Sequence, residues 1–238
     1  MRLNQQFLEL TQANKELDRF VYSVSHDLSA PLKSILGLVN IGRLSKNSNE
    51  QLGYMSKIEA SVLRLESFIK EVLDYSQSKR TDIVVEQIKL KDLCNEVLEN
   101  LRYIEDFTSV EIDMHELSGK EVFNDKLRLK IIINNILTNA IKFQKRIPHH
   151  KPLIKISSHN EANTMIINIE DNGEGIHPEV REKIFNMFFR GNQNSKGSGL
   201  GLYIAKEAAE KIKGNISVNS EYGKGSIFTI ELENLFHN

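Results

Sequence analysis

With 238 residues, 40% of them hydrophobic, and 31 basic against 32 acidic side chains, the chain can bury one or two cores but has no basic field to recruit nucleic acid or an anionic membrane surface. The single cysteine, Cys94, excludes an intramolecular disulfide and any cysteine-rich zinc module, and its apolar setting reads as buried packing in a reducing, cytoplasmic compartment. The start, MRLNQQFLEL, lacks the charged-then-apolar order of a signal peptide, and no run approaches the ~20 apolar residues of a membrane span, so any membrane sensor is expected outside this chain.

Apolar residues at Leu3, Phe7, Leu10, Leu17, Val21, Val24 and Leu28 step by four and three, with Asn14 on the same stripe. Taking Leu3 as d puts Phe7, Asn14, Val21 and Leu28 at the a positions of a heptad, where one Asn selects a parallel, in-register pair. A homodimer is expected; a surface helix of a monomer would explain the stripe but not a buried Asn. In the stretch FVYSVSHDLSAPLKSILGLVNIGR, His26 falls at an f position, away from the seam and beside Asp27. Packing residue, metal ligand and nucleophile are the three roles open to it. Pro31 removes an amide donor and crowds the carbonyl four residues back, so a bend is expected just after the His-Asp pair. SKNSNE (45–50) reads as a turn, and Leu52, Met55, Ile58, Val62, Leu65, Ile69 and Val72 form a second helical stripe. Two such hairpins, each over residues 1–80, would make a dimeric four-helix bundle.

Over residues 81–238 the pattern becomes that of a separate α/β domain. DIVVEQIKL reads as a strand, KDLCNEVLENLRYIEDF as a helix, and SVEIDMHEL alternates again. NDKLRLKIIINNILTNAIKFQK is a strong helix with Asn124 or Asp125 as its cap. PLIKISSHN and TMIINIED form a hairpin, PEVREKIF a short helix opened by proline, GLGLYIAKEAAEKIK a helix, and NISVNSE with SIFTIELE a closing strand pair.

Four local features in this half carry chemistry. Asn135 and Asn139 share one helix face and offer two neutral oxygens, either to a magnesium ion that keeps most of its waters or to polar interhelical contacts. DNGEGI ends an apolar strand, so Asp171 is either a buried acceptor for an amino group or part of a plain turn, with Gly173 and Gly175 admitting close backbone approach. IFNMFFRGNQNSKG joins an aromatic patch to a polar stretch suited to a mobile lid, although Phe185, Phe188 and Phe189 could equally pack in the core. GSGLGL runs a glycine-rich loop into a helix N-terminus, a ready place for phosphates. It is no P-loop, having no following Gly-Lys-Ser/Thr, and no dinucleotide fingerprint, having no preceding strand.

In that order Asn135 and Asn139, DNGEGI, IFNMFFRG and GSGLGL resemble the nucleotide-binding motifs of sensor histidine kinases, whose catalytic domain has the Bergerat-type (GHKL) fold of gyrase-like and Hsp90-like ATPases. SVSHDLSAPLKSILG is similar to the phosphoacceptor motif of the same kinases, so the resemblance covers nearly the whole chain. It implies an α plus α/β architecture: a dimerisation and phosphotransfer hairpin, then an ATP-binding α/β sandwich with a mixed sheet. It implies phosphorylation of His26 by ATP, with Asp27 orienting the other ring nitrogen or taking its proton, and transfer to an Asp of a response regulator receiver domain. It further implies that Asn135 and Asn139 hold Mg²⁺ and that Asp171 reads the adenine amino group. Gly173, Gly175, Phe185, Gly197, Ser198, Gly199, Leu200 and Gly201 would then shape the pocket and lid. Lys142 and Arg190 match positions where the family places charge near the transferred phosphate; as bare residues they could also be solvated surface cations. One departure stands out: the family commonly has Thr or Asn four residues after the histidine, where this chain has Ala30.

Two other classes share parts of this pattern. A GHKL-type ATPase coupling hydrolysis to conformational change needs the same pocket but has no use for an exposed His-Asp pair. A pseudokinase scaffold would dimerise and dock partners without transferring phosphate, and the intact nucleotide motifs count against it. His149 and His150 lie in a probable loop with no acid or Cys at ligand spacing, so an exposed turn is expected there.

Overall fold

A computed structural model describes residues 2–104, 106–191 and 197–235, with the side chains at 2–6, 8, 9, 12, 13, 16 and 17 left aside. The chain divides into two units, Met1–Val72 and Leu73–Asn238.

The first unit is a helical hairpin of α1 (Arg2–Leu44) and α2, which starts at Ser48 and continues to Arg80 in the second unit. The turn is fixed by short-range hydrogen bonds. Asn47 Oδ1 accepts from the Asn49 amide at 3.0 Å, Ser45 Oγ donates to Glu50 at 2.7 Å, and Gln51 Nε2 donates to the Ser45 carbonyl at 2.9 Å. Pro31 lies inside α1, and the helix runs on through it to Leu44. Half-buried residues recur on α1 at Val24, Pro31, Ile35 and Leu38, and on α2 at Tyr54, Ile58 and Leu65, with Phe68 fully buried. Their four-three spacing marks the faces that close the hairpin. A second stripe on each helix stays exposed: Val21, Leu32 and Leu36 on α1, and Met55, Val62 and Ile69 on α2. The apolar run from Leu52 to Val72 is therefore two stripes, one facing the hairpin and one facing out. Phe7, Leu10 and Asn14 of the expected seam are exposed on the single chain, and the side chains of Leu3 and Leu17 lie outside those described.

In the second unit β1 (Val85–Lys89) pairs antiparallel with β3 (Glu121–Asp125), and α3 (Leu90–Leu101) follows β1 directly. The main sheet has the order β2-β4-β5-β7-β6. Here β2 (Glu111–Asp113) is parallel to β4 (Leu153–Glu161), while β5 (Thr164–Asp171), β7 (Gly225–Glu233) and β6 (Gly214–Glu221) continue antiparallel, so the sheet is mixed. Alternate residues point to one buried face: Ile154 and Ile156 on β4, Met165, Ile167 and Ile169 on β5, Phe228, Ile230 and Leu232 on β7. Against it pack α4 (Lys126–Lys142) and α6 (Gly201–Lys211), through Leu129, Ile132, Ile133, Ile136, Ile204 and Ala208. Each such aliphatic side chain, fully buried, stabilises the fold by about 1.5–3 kcal/mol.

Some elements are shorter than the pattern predicts, and β3 is new. EVFND pairs with β1 before the chain turns helical at Asp125, whose carboxylate caps α4 by accepting from the Arg128 amide at 2.8 Å. The helix after β1 stops at Leu101, and the helix opened by Pro178, α5 (Pro178–Arg181), is a single turn.

The last two turns of α2, from Leu73 to Arg80, belong to this second unit. Arg128, wholly buried, pairs with Asp125 at 2.6 Å and donates to the carbonyls of Ser78 and Thr81 at 2.8 and 2.6 Å. Lys211 at the end of α6 donates to the carbonyls of Ser78, Lys79 and Thr81 at 2.9, 2.7 and 3.0 Å. Burial, and then the charge of Arg128, lower the Lys211 pKa. Two cations thus satisfy the carbonyls that a helix end leaves unpaired. Lys79 adds an ion pair to Glu207 of α6.

Candidate active site

On α1 the ring of His26 is 70% exposed, and its Nδ1 lies 3.0 Å from Asp27 Oδ1. With Nδ1–H donating to the carboxylate, the lone pair sits on Nε2 of the exposed ring. Such exposure removes the core-packing reading. Ala30 is exposed one turn further on, and Ser29 gives its hydroxyl to the Ser25 carbonyl at 2.7 Å.

In the second unit, Asp171 ends β5 and is 8% exposed. The Gly173 amide donates to its Oδ1 at 2.8 Å and the Ser226 main-chain N–H also donates to the carboxylate. Burial pushes its pKa up to about 6; the two amides oppose that rise and Glu170 adds to it. Such a carboxylate retains lone pairs for one further donor.

The loop after Asp171 is built for close approach. A Cβ on Gly173 would overlap the Phe143 carbonyl, and one on Gly175, whose φ is +68°, would overlap the Glu221 carbonyl. The loop is held from two sides: the Glu174 amide donates to the Phe143 carbonyl at 2.9 Å, and the Gly223 amide to the Glu174 carbonyl at 2.7 Å. The β6–β7 turn is thus part of the site. Sequence reasoning read NISVNSE and SIFTIELE only as strands and passed over Ser220, Gly223, Gly225 and Ser226. The available signal was the spaced glycine pair in EYGKGS: a Cβ on Gly225 would overlap the Asp171 carbonyl.

The structure brings Asn135 to the start of α6. Its amide nitrogen donates to the Ile131 carbonyl at 2.9 Å, and its Oδ1 lies 2.7 Å from where a Cβ on Gly201 would stand. Asn139 is half-buried one turn along and makes no side-chain hydrogen bond among the described residues. Leu200, at the cap position of α6, makes no side-chain cap bond, and its amide donates to Ser198 Oγ at 3.0 Å. Gly199, with φ +75°, lies against Phe188 and Phe189, while Gly197 has open space around it. The helix starts at Gly201 rather than Gly199 because Gly199 is left-handed.

Phe185 is half-buried, edge-on to Phe228 with centroids 6.5 Å apart, so it packs on the sheet. Phe188 holds φ at +60°, a strained conformation for a bulky residue, costing on the order of 1–3 kcal/mol. Arg190 follows it, exposed, and Lys142 is half-exposed in the last turn of α4. Residues 192–196 of the expected lid lie outside the described residues. His149 is exposed with φ +63°, and among the described residues no group of three or more His, Cys, Asp or Glu is placed to hold a metal ion. No described helix is long and apolar enough to cross a membrane.

Comparisons with known proteins agree with this geometry. Residues 16–81 match the family model "His Kinase A (phospho-acceptor) domain", and residues 124–235 match "Histidine kinase-, DNA gyrase B-, and HSP90-like ATPase". The methanogenesis regulatory histidine kinase FilI of Methanothrix harundinacea is 31% identical over 233 residues, covering 96% of this chain and 26% of that protein. The solved histidine kinase AdeS of Acinetobacter baumannii shares the fold at a TM-score of 0.65 and 22% identity, covering 89% of this chain and 98% of that one. Histidine kinase ThkA, solved in complex with response regulator protein TrrA, matches with a TM-score of 0.67 at 24% identity, over 91% of this chain and 61% of that one. The chain spans about a quarter of the length of the curated relatives it matches. With an exposed, acid-paired histidine in the phosphoacceptor match and a buried aspartate and glycine cradle in the ATPase match, the chain belongs to the sensor histidine kinases.

Proposed function

We propose that the chain is an ATP-dependent protein-histidine autokinase that phosphorylates His26 and passes the phosphoryl group to an aspartate of a response regulator receiver domain. The observation that carries this is the state of His26: Nδ1 held by Asp27 at 3.0 Å and the ring 70% exposed. Neutral imidazole needs no strong base to attack. Nε2 forms a bond to the γ-phosphorus of ATP, the bond from that phosphorus to the bridging oxygen breaks, and ADP leaves. The resulting positive charge on the ring is stabilised through Nδ1–H by Asp27.

The pocket's roles follow its geometry. Asp171 accepts from the adenine amino group, and glycine at 173 and 175 lets the loop beside it pack directly on the Phe143 and Glu221 carbonyls, which holds the carboxylate in place. The N-terminus of α6 at Gly201, which Leu200 does not cap, faces the phosphates. Two neutral amide oxygens suit Mg²⁺, which takes most of its ligands from water and phosphates; Asn139, with its side chain uncommitted, and Asn135 would hold it. Bound there, the ion neutralises phosphate charge. Lys142 and Arg190 add positive charge for the metaphosphate-like transition state.

The exposed stripes of α1 and α2 support a parallel homodimer forming a four-helix bundle. The ThkA–TrrA complex supports the receiver-domain partner. An upstream sensor domain would supply the signal, and the cytoplasm, which supplies ATP, is the compartment of action.

Incubation with γ-labelled ATP and Mg²⁺ tests the reading. Acid-labile, alkali-stable label is expected on the protein, lost in His26→Gln with nucleotide affinity unchanged. Label persisting on the variant, or ATP hydrolysis with no labelled protein, would overturn it.

A further inference from the structure

Three segments of the second unit meet at one hydroxyl. Ser220, near the end of β6, is 9% exposed. Its Oγ accepts from the Ile176 amide at 2.8 Å, donates to the Gly225 carbonyl at 2.9 Å, and lies 3.0 Å from Ser226 Oγ. A hydroxyl has one proton and two acceptor lone pairs. Because the proton goes to Gly225, the third contact is a bond donated by Ser226, and every bonding capacity of the atom is in use.

The groups it ties are those that shape the base pocket. Ile176 closes the DNGEGI segment, five residues past Asp171. Ser226 gives its main-chain N–H to the Asp171 carboxylate, and Gly225 packs against the Asp171 carbonyl. The near end of the loop is fixed by Gly173 donating to Asp171, and its middle by main-chain bonds from Glu174 to Phe143 and from Gly223 to Glu174. Ser220 supplies the side-chain anchor at the far end, joining the loop to the start of β7.

We infer that Ser220 is a positioning residue for adenine recognition: its hydroxyl holds the loop through Ile176 and the strand through Gly225 and Ser226 in the one register that aims Asp171 at the base. The inference rests on the reading of this pocket as an ATP site. Ser220 touches no reacting atom, so its loss weakens nucleotide binding without slowing the chemical step.

The test compares Ser220→Ala and Ser220→Thr in the whole chain. For Ser220→Ala, the KM for ATP in His26 autophosphorylation should rise about tenfold with kcat held within about twofold. The Ile176 amide should also exchange faster with solvent in nucleotide-free protein, while the Gly223 amide changes little. Ser220→Thr, which keeps the hydroxyl, should restore both. Wild-type KM in Ser220→Ala, or unaltered Ile176 exchange, overturns the inference. So does a loss in both variants that follows a common fall in melting temperature, which would assign Ser220 to folding alone. If the wild type binds no ATP, the reading of the pocket fails instead, and Ile176 exchange still decides whether the anchor exists.

Discussion

Asp171 carries a pH signature that a solvated carboxylate would lack. Burial raises its pKa from 3.8 to about 6 in the free protein, so the folded chain holds this proton more tightly than the unfolded one. The ionised group therefore costs stability: the penalty is absent below about pH 4, grows as pH rises through 6, and levels off at about 3 kcal/mol. Nucleotide binding has the opposite dependence, because the adenine amino group donates and only the ionised form accepts without competition. Affinity for ATP should be level above about pH 7 and fall about tenfold by pH 5, where some nine-tenths of the free sites are protonated. Triphosphate titrates in the same range, so the measurement is the ratio of affinities for ATP and for the purine nucleoside triphosphate lacking the amino group, by calorimetry at each pH. The phosphate contribution cancels in that ratio. In wild type it should lie between about ten and a hundred at neutral pH, the value of a charge-assisted hydrogen bond, and decline with acid. In Asp171→Asn it should be smaller and independent of pH. A wild-type ratio that does not change between pH 5 and 8, or equal losses for both nucleotides in the variant, would remove Asp171 from base recognition.

Sedimentation should give twice the 27.2 kDa chain mass, and Leu36→Glu, which puts a charge on the exposed α1 stripe, should raise the dimer dissociation constant at least about a hundredfold; an unaltered variant dimer would place the interface elsewhere. Hydrolysis of a purified phosphorylated regulator, with ADP removed, should be slow in wild type and faster in Ala30→Thr, because Ala30 offers no hydrogen bond and the Ser29 hydroxyl is committed to Ser25. Rapid wild-type hydrolysis unimproved by Thr would show that the position does not control the reaction. Gly225→Ala should destabilise the second unit by on the order of 1–3 kcal/mol and abolish ATP binding, since its Cβ would overlap the Asp171 carbonyl at a φ of +135°; thermal melting and calorimetry read both effects.

The features legible in the sequence were those in which a side chain or a glycine announces its own task. Asp171 closes an apolar strand, Asn135 and Asn139 repeat on a helix face, and His26 sits off a hydrophobic stripe, so the pattern marks them as candidates while the family resemblance supplies their expected roles. The β6–β7 turn was missed because its part in the site is played by the carbonyl of Glu221 and the amide of Gly223, which every residue possesses. Its one informative side chain, Ser220, looks like any strand serine until Ile176, 44 residues away, is seen to bond it. In the hairpin the difficulty was different. A helix in a bundle has two apolar faces, and residues from Leu52 to Val72 alternate between them, so a single stripe fits the sequence as well as two. The strand EVFND was hidden by its neighbour: its last residue is also the cap of α4, and the stronger helical period absorbed it.

The cations gathered under the end of α2 bear on how the protein can be cut. A boundary drawn where the helix stops, at residue 80, follows the secondary structure, yet an expressed fragment beginning at residue 81 would discard the Ser78 and Lys79 carbonyls. Lys211 would lose two of its three acceptors, and the buried guanidinium of Arg128 its bond to Ser78. Leaving one donor of that buried guanidinium unpaired costs about 1–3 kcal/mol, a sizeable part of what holds a domain folded. A fragment beginning at Leu73 retains both acceptors and should melt well above the shorter one. In folding terms the final two turns of α2, which continue the hairpin in sequence, are the first element of the ATP-binding unit.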